Sequence, residues 1–169
     1  EKFYENPARY AFQTELSFLA SRYKQQQSIQ SRELFSTITI ADYMFQKNRI
    51  FAGLTLKGDE LALYDNIYRI MYEQAPQPDL IVYLTAGMEQ VMNNIRKRGR
   101  SYEQNISVDY LSALNQAYKS YLSTYKSCPV AFINCQGVDF VKEETSFQQL
   151  QHIILEKDFT GVQSFELHP

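Results

Sequence analysis

Arg96, Lys97, Arg98 and Arg100 place four cations within five positions, with Gly99 between the last two and Glu103 three residues beyond. Arginine presents a planar fork of donors matched to phosphate oxygens, and glycine lets a chain turn sharply enough for several forks to converge. Such a cluster can hold a polyanion such as a triphosphate. The plain alternative is a solvated helix end whose cations offset the macrodipole. The residues around the cluster separate these readings.

The cations need elements to position them. Asn6 before Pro7 reads as a helix cap with proline at the first helical position. Phe12, Leu16, Leu19 and Tyr23 then form one apolar stripe, and the polar tract 25–28 is expected to fray. Residues 37–40 (Thr-Ile-Thr-Ile) are expected to form a short strand. A helix is expected from 42 to 51, a break near 53–58, and a third helix carrying Leu63, Ile67, Ile70 and Met71 that stops before Pro76. Residues 80–84 (Leu-Ile-Val-Tyr-Leu) read as a strand buried on both faces. Met88, Val91, Met92 and Ile95 predict a helix that ends in the basic cluster. Leu111, Leu114, Tyr118, Tyr121, Leu122 and Tyr125 mark a longer helix, 130–133 another buried strand, and Phe147, Leu150, Ile153 and Ile154 the last helix. Residues 160–169 have no clear period and are expected to be a loosely attached tail.

Apolar strands alternating with helices predict an α/β fold, a doubly wound parallel sheet with helices on both faces. Neither an internal repeat nor an internal boundary is evident, so residues 1–159 are read as one domain. In such sheets ligands bind beyond the carboxyl ends of the strands. Function is therefore expected in the segments from Ala41, from Thr85, and from Asn134 to Phe140.

The 169 residues carry a net charge of −2, which gives no global attraction to nucleic acid or an anionic membrane, so the basic cluster acts locally. Cys128 and Cys135 are the only cysteines, too few for a disulfide framework or a metal-ligand array, and no metal site is expected. No apolar run approaches the ~20 residues needed to cross a bilayer. The expected compartment is the reducing cytoplasm. The chain opens on a helix signal without an initiator Met, so an N-terminal portion is expected upstream of Glu1.

Phe3-Tyr4-Glu5-Asn6-Pro7-Ala8-Arg9-Tyr10-Ala11-Phe12, followed by Phe18-Leu19-Ala20-Ser21-Arg22-Tyr23, resembles the deoxynucleoside kinase family, especially its bacterial deoxyadenosine and deoxyguanosine kinase branch. Lys97-Arg98-Gly99-Arg100-Ser101-Tyr102-Glu103-Gln104 looks like that family's lid, and Gly137-Val138-Asp139-Phe140 resembles its adenine-binding loop. The likeness runs from about Phe3 to Leu155. It extends to a subgroup found beside, or fused to, a folate-pathway pyrophosphokinase. The resemblance implies a P-loop NTPase kinase fold, a homodimer built on helices, and transfer of the ATP γ-phosphoryl to a deoxynucleoside 5′-hydroxyl with Mg²⁺. By matching positions, Arg98 and Arg100 would clamp the phosphates and Tyr4 and Glu103 would hold the sugar 3′-hydroxyl. Phe51 would stack on the base, and the backbone around Asp139 and Phe140 would frame the adenine of ATP.

These assignments suit phosphoryl transfer, which depends on positioning and charge compensation rather than covalent chemistry from protein. The chain also departs from the family pattern. No stretch matches the GxxxxGK[ST] loop, which is expected upstream. Ala41, Asp42 and Tyr43 stand where the family has an acidic residue, an arginine and a small hydroxyl residue; Lys47 or Arg49 could substitute for that arginine. Glu15 replaces the family's base-reading glutamine. A carboxylate only accepts, which suits the adjacent donors of guanine better than adenine. Glu15 and Lys47 could instead pair with each other, and Asn94 opens the lid where relatives often carry arginine.

Three functions follow. The leading one is ATP-dependent phosphorylation of a purine deoxynucleoside in nucleotide salvage. The second keeps the phosphotransfer with another small-molecule acceptor. The third is a catalytically weak kinase-like domain serving dimerisation or regulation of a folate-pathway enzyme. His152 and His168 have no partner pattern for catalysis and read as surface residues.

Overall fold

Pro7 opens α1 (Pro7–Gln30), the first element of the computed structural model, which describes residues 7–30, 38–103 and 106–168. After Pro7 no glycine or proline interrupts α1, and glutamine is an ordinary helix former, so the expected fraying at 25–28 does not occur. The buried stripe of α1 is Ala11, Glu15 and Leu19, one position round from the Phe12 and Leu16 stripe read from sequence. Phe12 and Leu16 still pack against the core from its margin. The small Ala11 side chain concealed the register of this face.

The chain divides into two compact units, which meet at Gln77 and Pro78. In the first, α1 packs on α2 (Lys47–Thr55) and α3 (Gly58–Tyr72). The expected second helix thus starts later and runs further. Phe45, in the turn ahead of α2, stacks on Tyr68 of α3 with ring centroids 5.4 Å apart, and the ladder continues through Tyr64 and Tyr72. Aromatic stacking adds to simple area burial and fixes α3 against that turn. Residues 38–40 do not form the expected strand; Ile38 and Ile40 are exposed. A β-branched run becomes a strand only where a neighbour supplies ladder and packing.

The second unit holds β1 (Ile81–Thr85), α4 (Met88–Arg98), a 3₁₀ turn (Ser101–Glu103), α5 (Val108–Ser123), β2 (Val130–Asn134), α6 (Glu144–Glu156) and β3 (Val162–Glu166). The three strands form a parallel sheet in the order β1-β2-β3. Side chains alternate between its faces. Ala131 and Ile133 join Leu150 and Ile153 of α6, whereas Tyr83 stacks on Tyr118 of α5 and donates to Asn115 at 3.0 Å. Helices therefore cover both faces, as the α/β reading requires.

The stretch expected to be a loose tail contains β3. Val162 to Glu166 pair in register with Val130 to Asn134, and Leu167 is buried in the unit's core. Its alternating burial marks a strand with one face covered, a pattern too short and too polar to stand out in the sequence. No helix among the described residues is long and apolar enough to cross a membrane.

Candidate active site

Gly99 ends α4 in the left-handed conformation (φ 71°), its N–H bonded back to Arg96 O at 3.1 Å. Glycine takes this geometry without the Cβ penalty, which makes it a natural helix terminator. The chain folds back into the 3₁₀ turn, and Glu103 Oε1 meets Arg98 Nη1 at 3.4 Å and Arg100 Nη1 at 3.1 Å. Both arginines remain half exposed, while the Glu103 side chain is 12% exposed. Glu103 Oε2 is buried without a hydrogen-bond partner among the described residues. One carboxylate thus gathers two guanidiniums with one oxygen and keeps the other as an open acceptor.

The loop after β2 lies at the carboxyl end of the same sheet. Gly137 (φ 77°) lets it turn, and Asn134 Oδ1 accepts from Gln136 N at 3.1 Å. Gln90, on the first turn of α4, holds this loop by three bonds: its Nε2 donates to Cys135 O and Val138 O, and its Oε1 accepts from Gly137 N at 3.1 Å. One helix therefore carries the loop clamp near its start and the first lid arginine at its end, about 12 Å further along its axis. Asp139 O accepts from the backbones of Lys142 and Glu143, both at 2.9 Å, and Asp139 Oδ2 meets Lys142 Nζ at 3.4 Å. Phe140 packs against the core of this unit. Gln90 escaped the sequence reading because only the fold shows the loop it faces.

In the first unit, Glu15 is 5% exposed within the apolar stripe of α1. Its Oε1 accepts from Thr55 Oγ1 of α2 at 3.0 Å, and the same hydroxyl lies 3.1 Å from Phe51 O. Thr55 thus joins Glu15 to the helical turn that carries Phe51, the two residues expected to meet the base. Lys47 holds its ammonium 5.7 Å from the centroid of the Phe51 ring. Burial raises the Glu15 carboxyl above the ordinary carboxylate range, opposed by the Thr55 hydrogen bond and by the charge of Arg22.

Arg22, also on α1, donates to Asn48 Oδ1 at 2.7 Å and lies 5.2 Å from the ring centroids of both Phe18 and Tyr43. Asn48 in turn donates to Tyr43 at 2.8 Å. Burial pushes the Tyr43 phenol up to about 12 despite this hydrogen bond. Arg49 binds Asp65 through two contacts, Nε to Oδ1 and Nη2 to Oδ2. Tyr4 lies outside the described residues. Among those residues no group of three His, Cys, Asp or Glu side chains is placed to hold a metal ion.

The second unit thus carries paired arginines after α4 and a clamped loop after β2 on a parallel α/β sheet. The family model for deoxynucleoside kinase matches residues 1–159. The chain is 32% identical over 155 residues to a deoxyguanosine kinase of Bacillus subtilis (strain 168), covering 89% of this chain and 75% of that protein. It is 28% identical over 160 residues to a deoxyadenosine/deoxycytidine kinase of the same organism, covering 89% and 71%. The fold resembles that of deoxyadenosine kinase from M. mycoides with bound dATP, at a TM-score of 0.71 and 21% identity, over 92% of this chain and 79% of that one. The chain belongs to the deoxynucleoside kinase family.

Proposed function

We propose that this protein transfers the γ-phosphoryl group of ATP to the 5′-hydroxyl of a purine deoxynucleoside, as a cytoplasmic homodimer in nucleotide salvage. The observation that carries this reading is the divided use of Glu103, whose Oε1 gathers Arg98 and Arg100 while Oε2 waits as a buried acceptor. A sugar 3′-hydroxyl donates to such an acceptor. The arginines, half exposed and held by an ion pair of modest strength, exchange their carboxylate for the phosphate oxygens on which charge develops. Removing one such donor slows transfer by about 100- to 1,000-fold.

Glu15 and Phe51 are assigned to the base, the first as hydrogen-bond partner and the second as stacking surface. The backbone around Asp139 and Phe140 is assigned to the adenine of ATP; the Asp139 carbonyl is already used by its own turn, which leaves the neighbouring peptide groups for that task. Mg²⁺ bound with ATP would neutralise charge on the phosphates, and no described residue is assigned to hold it. The purine preference rests on the names of the relatives and on the acceptor character of Glu15.

One observation favours a second reading, a catalytically weak domain that dimerises or regulates a folate-pathway enzyme. No arginine stands among Ala41, Asp42 and Tyr43, and Arg49, a possible substitute, is committed to Asp65. The test is ATP turnover by the full-length protein with deoxyguanosine, deoxyadenosine and a pteridine alcohol. Turnover with a deoxynucleoside that is lost in Arg98→Ala supports the first reading. Turnover with the pteridine alcohol alone shows another acceptor, and a dimer with no turnover supports the weak domain.

A further inference from the structure

Glu15 is a buried acid whose hydrogen-bond partner is neutral. Its neighbours on the α1 stripe, Ala11 and Leu19, are 3% and 0% exposed, and among the described residues no cation pairs with it. The groups that face it are few. Arg22 of its own helix turns its guanidinium to Asn48 and Tyr43. From α2 comes Thr55, whereas Lys47 lies beside the Phe51 ring and Arg49 is bound to Asp65 of α3. From α3 comes Tyr64, fully buried, whose hydroxyl has no hydrogen-bond partner among the described residues. A carboxylate removed from water with no ion-pair partner, and only the nearby charge of Arg22 to offset its burial, is disfavoured and more readily takes a proton.

The surroundings accommodate either form. Thr55 Oγ1 has two acceptors, Glu15 Oε1 at 3.0 Å and Phe51 O at 3.1 Å, but one proton to give. It donates to Glu15 when the acid is ionised and can turn to the α2 carbonyl when the acid is neutral. The two purines ask for different forms. Guanine presents adjacent N1–H and N2–H donors, which an ionised carboxylate accepts together. Adenine presents the N1 acceptor beside the N6–H donor, which a protonated carboxyl meets by donating with one oxygen and accepting with the other.

We propose that Glu15 binds deoxyguanosine as a carboxylate and deoxyadenosine as a carboxylic acid, so that proton occupancy at one residue sets the purine preference. This rests on the deoxynucleoside kinase reading above and on Glu15 as the base-reading residue. The raised protonation range of the buried acid brings the switch closer to neutral pH. Where the two complexes differ by one proton, the ratio of the dissociation constants for deoxyadenosine and deoxyguanosine rises about tenfold per pH unit.

The test is calorimetric titration of the full-length protein with each deoxynucleoside, in buffers of different ionisation enthalpy, between about pH 6 and 8. The expected result is a difference of about one proton per site between the two ligands at a given pH, abolished in Glu15→Gln. Equal proton counts for both ligands in the unaltered protein would overturn the switch while leaving the kinase reading in place. Deoxyguanosine binding alone at every pH would also overturn it. Failure of both to bind would remove the reading on which it rests.

Discussion

Arg100 Nη1 lies 3.1 Å from Glu103 Oε1, and the left-handed turn at Gly99 lets Arg98 reach the same oxygen. These contacts are partly exposed, so they add little to folding stability, about 0–1 kcal/mol. Arg98→Ala and Arg100→Ala are expected to leave the melting temperature within a few degrees of the parent, while kcat falls by about 100-fold or more. Steady-state kinetics beside thermal unfolding checks the split. A large loss of stability with unchanged kcat would assign the arginines to structure instead.

Glu15→Gln carries a prediction about stability as well as ligand choice. The folded-state carboxyl titrates above its ordinary value of 4.5, chiefly through burial. The native state therefore holds its proton longer than the unfolded chain, and stability contributed by neutral Glu15 is lost as pH rises through the folded value. Glu15→Gln lacks this loss. Its stability relative to the parent is expected to increase from pH 4.5 upward and then level off. Paired denaturant unfolding curves across pH measure this; a constant gap would mean that Glu15 titrates as an ordinary surface acid.

Gln90→Ala removes three hydrogen bonds from the segment that runs from Cys135 to Val138. Cys135 and Val138 are buried, so their carbonyls do not readily find a new partner, and a loss of about 1–3 kcal/mol is expected. The Gly137 amide, which donates to Gln90, is expected to exchange its hydrogen markedly faster. Hydrogen exchange followed by mass spectrometry reads this directly, and KM for ATP is expected to rise more than kcat falls.

Leu167→Ala tests whether the last described residues are structural. Leu167 is 4% exposed in the core formed with Ala131, Ile133 and Ile153. Truncating a buried leucine costs about 2–5 kcal/mol. Chemical unfolding that gave less than about 0.5 kcal/mol would restore the loose tail.

Legibility in the sequence followed the strength of each local signal. The run from Leu80 to Leu84 reads directly as a buried strand, and the cations from Arg96 mark where α4 ends, although clustered cations alone also suit a solvated helix end. β3 was hidden because Val162 and Phe165 are spaced by polar residues and the strand depends on β2 for its existence. Ile38 and Ile40 show the converse, a β-branched propensity for strand that no paired neighbour among the described residues supports. Glu15 drew attention by its charge on an apolar face, but its partner Thr55 is 40 residues away and only the packing of α1 on α2 reveals it. Gln90 had no signal at all, being one glutamine on an amphipathic helix.

The stacked ladder of Tyr64, Tyr68 and Tyr72 beside Phe45 has an optical consequence. The sequence contains no tryptophan, so tyrosine emission fills the ultraviolet window and nothing emits beyond it. A Phe51→Trp substitution on α2 would place a single red-shifted fluorophore in the same helical unit, with the tyrosine ladder as its energy donor. Arrival of a base against that ring would then quench one band, and deoxynucleoside binding could be timed by stopped flow without a label.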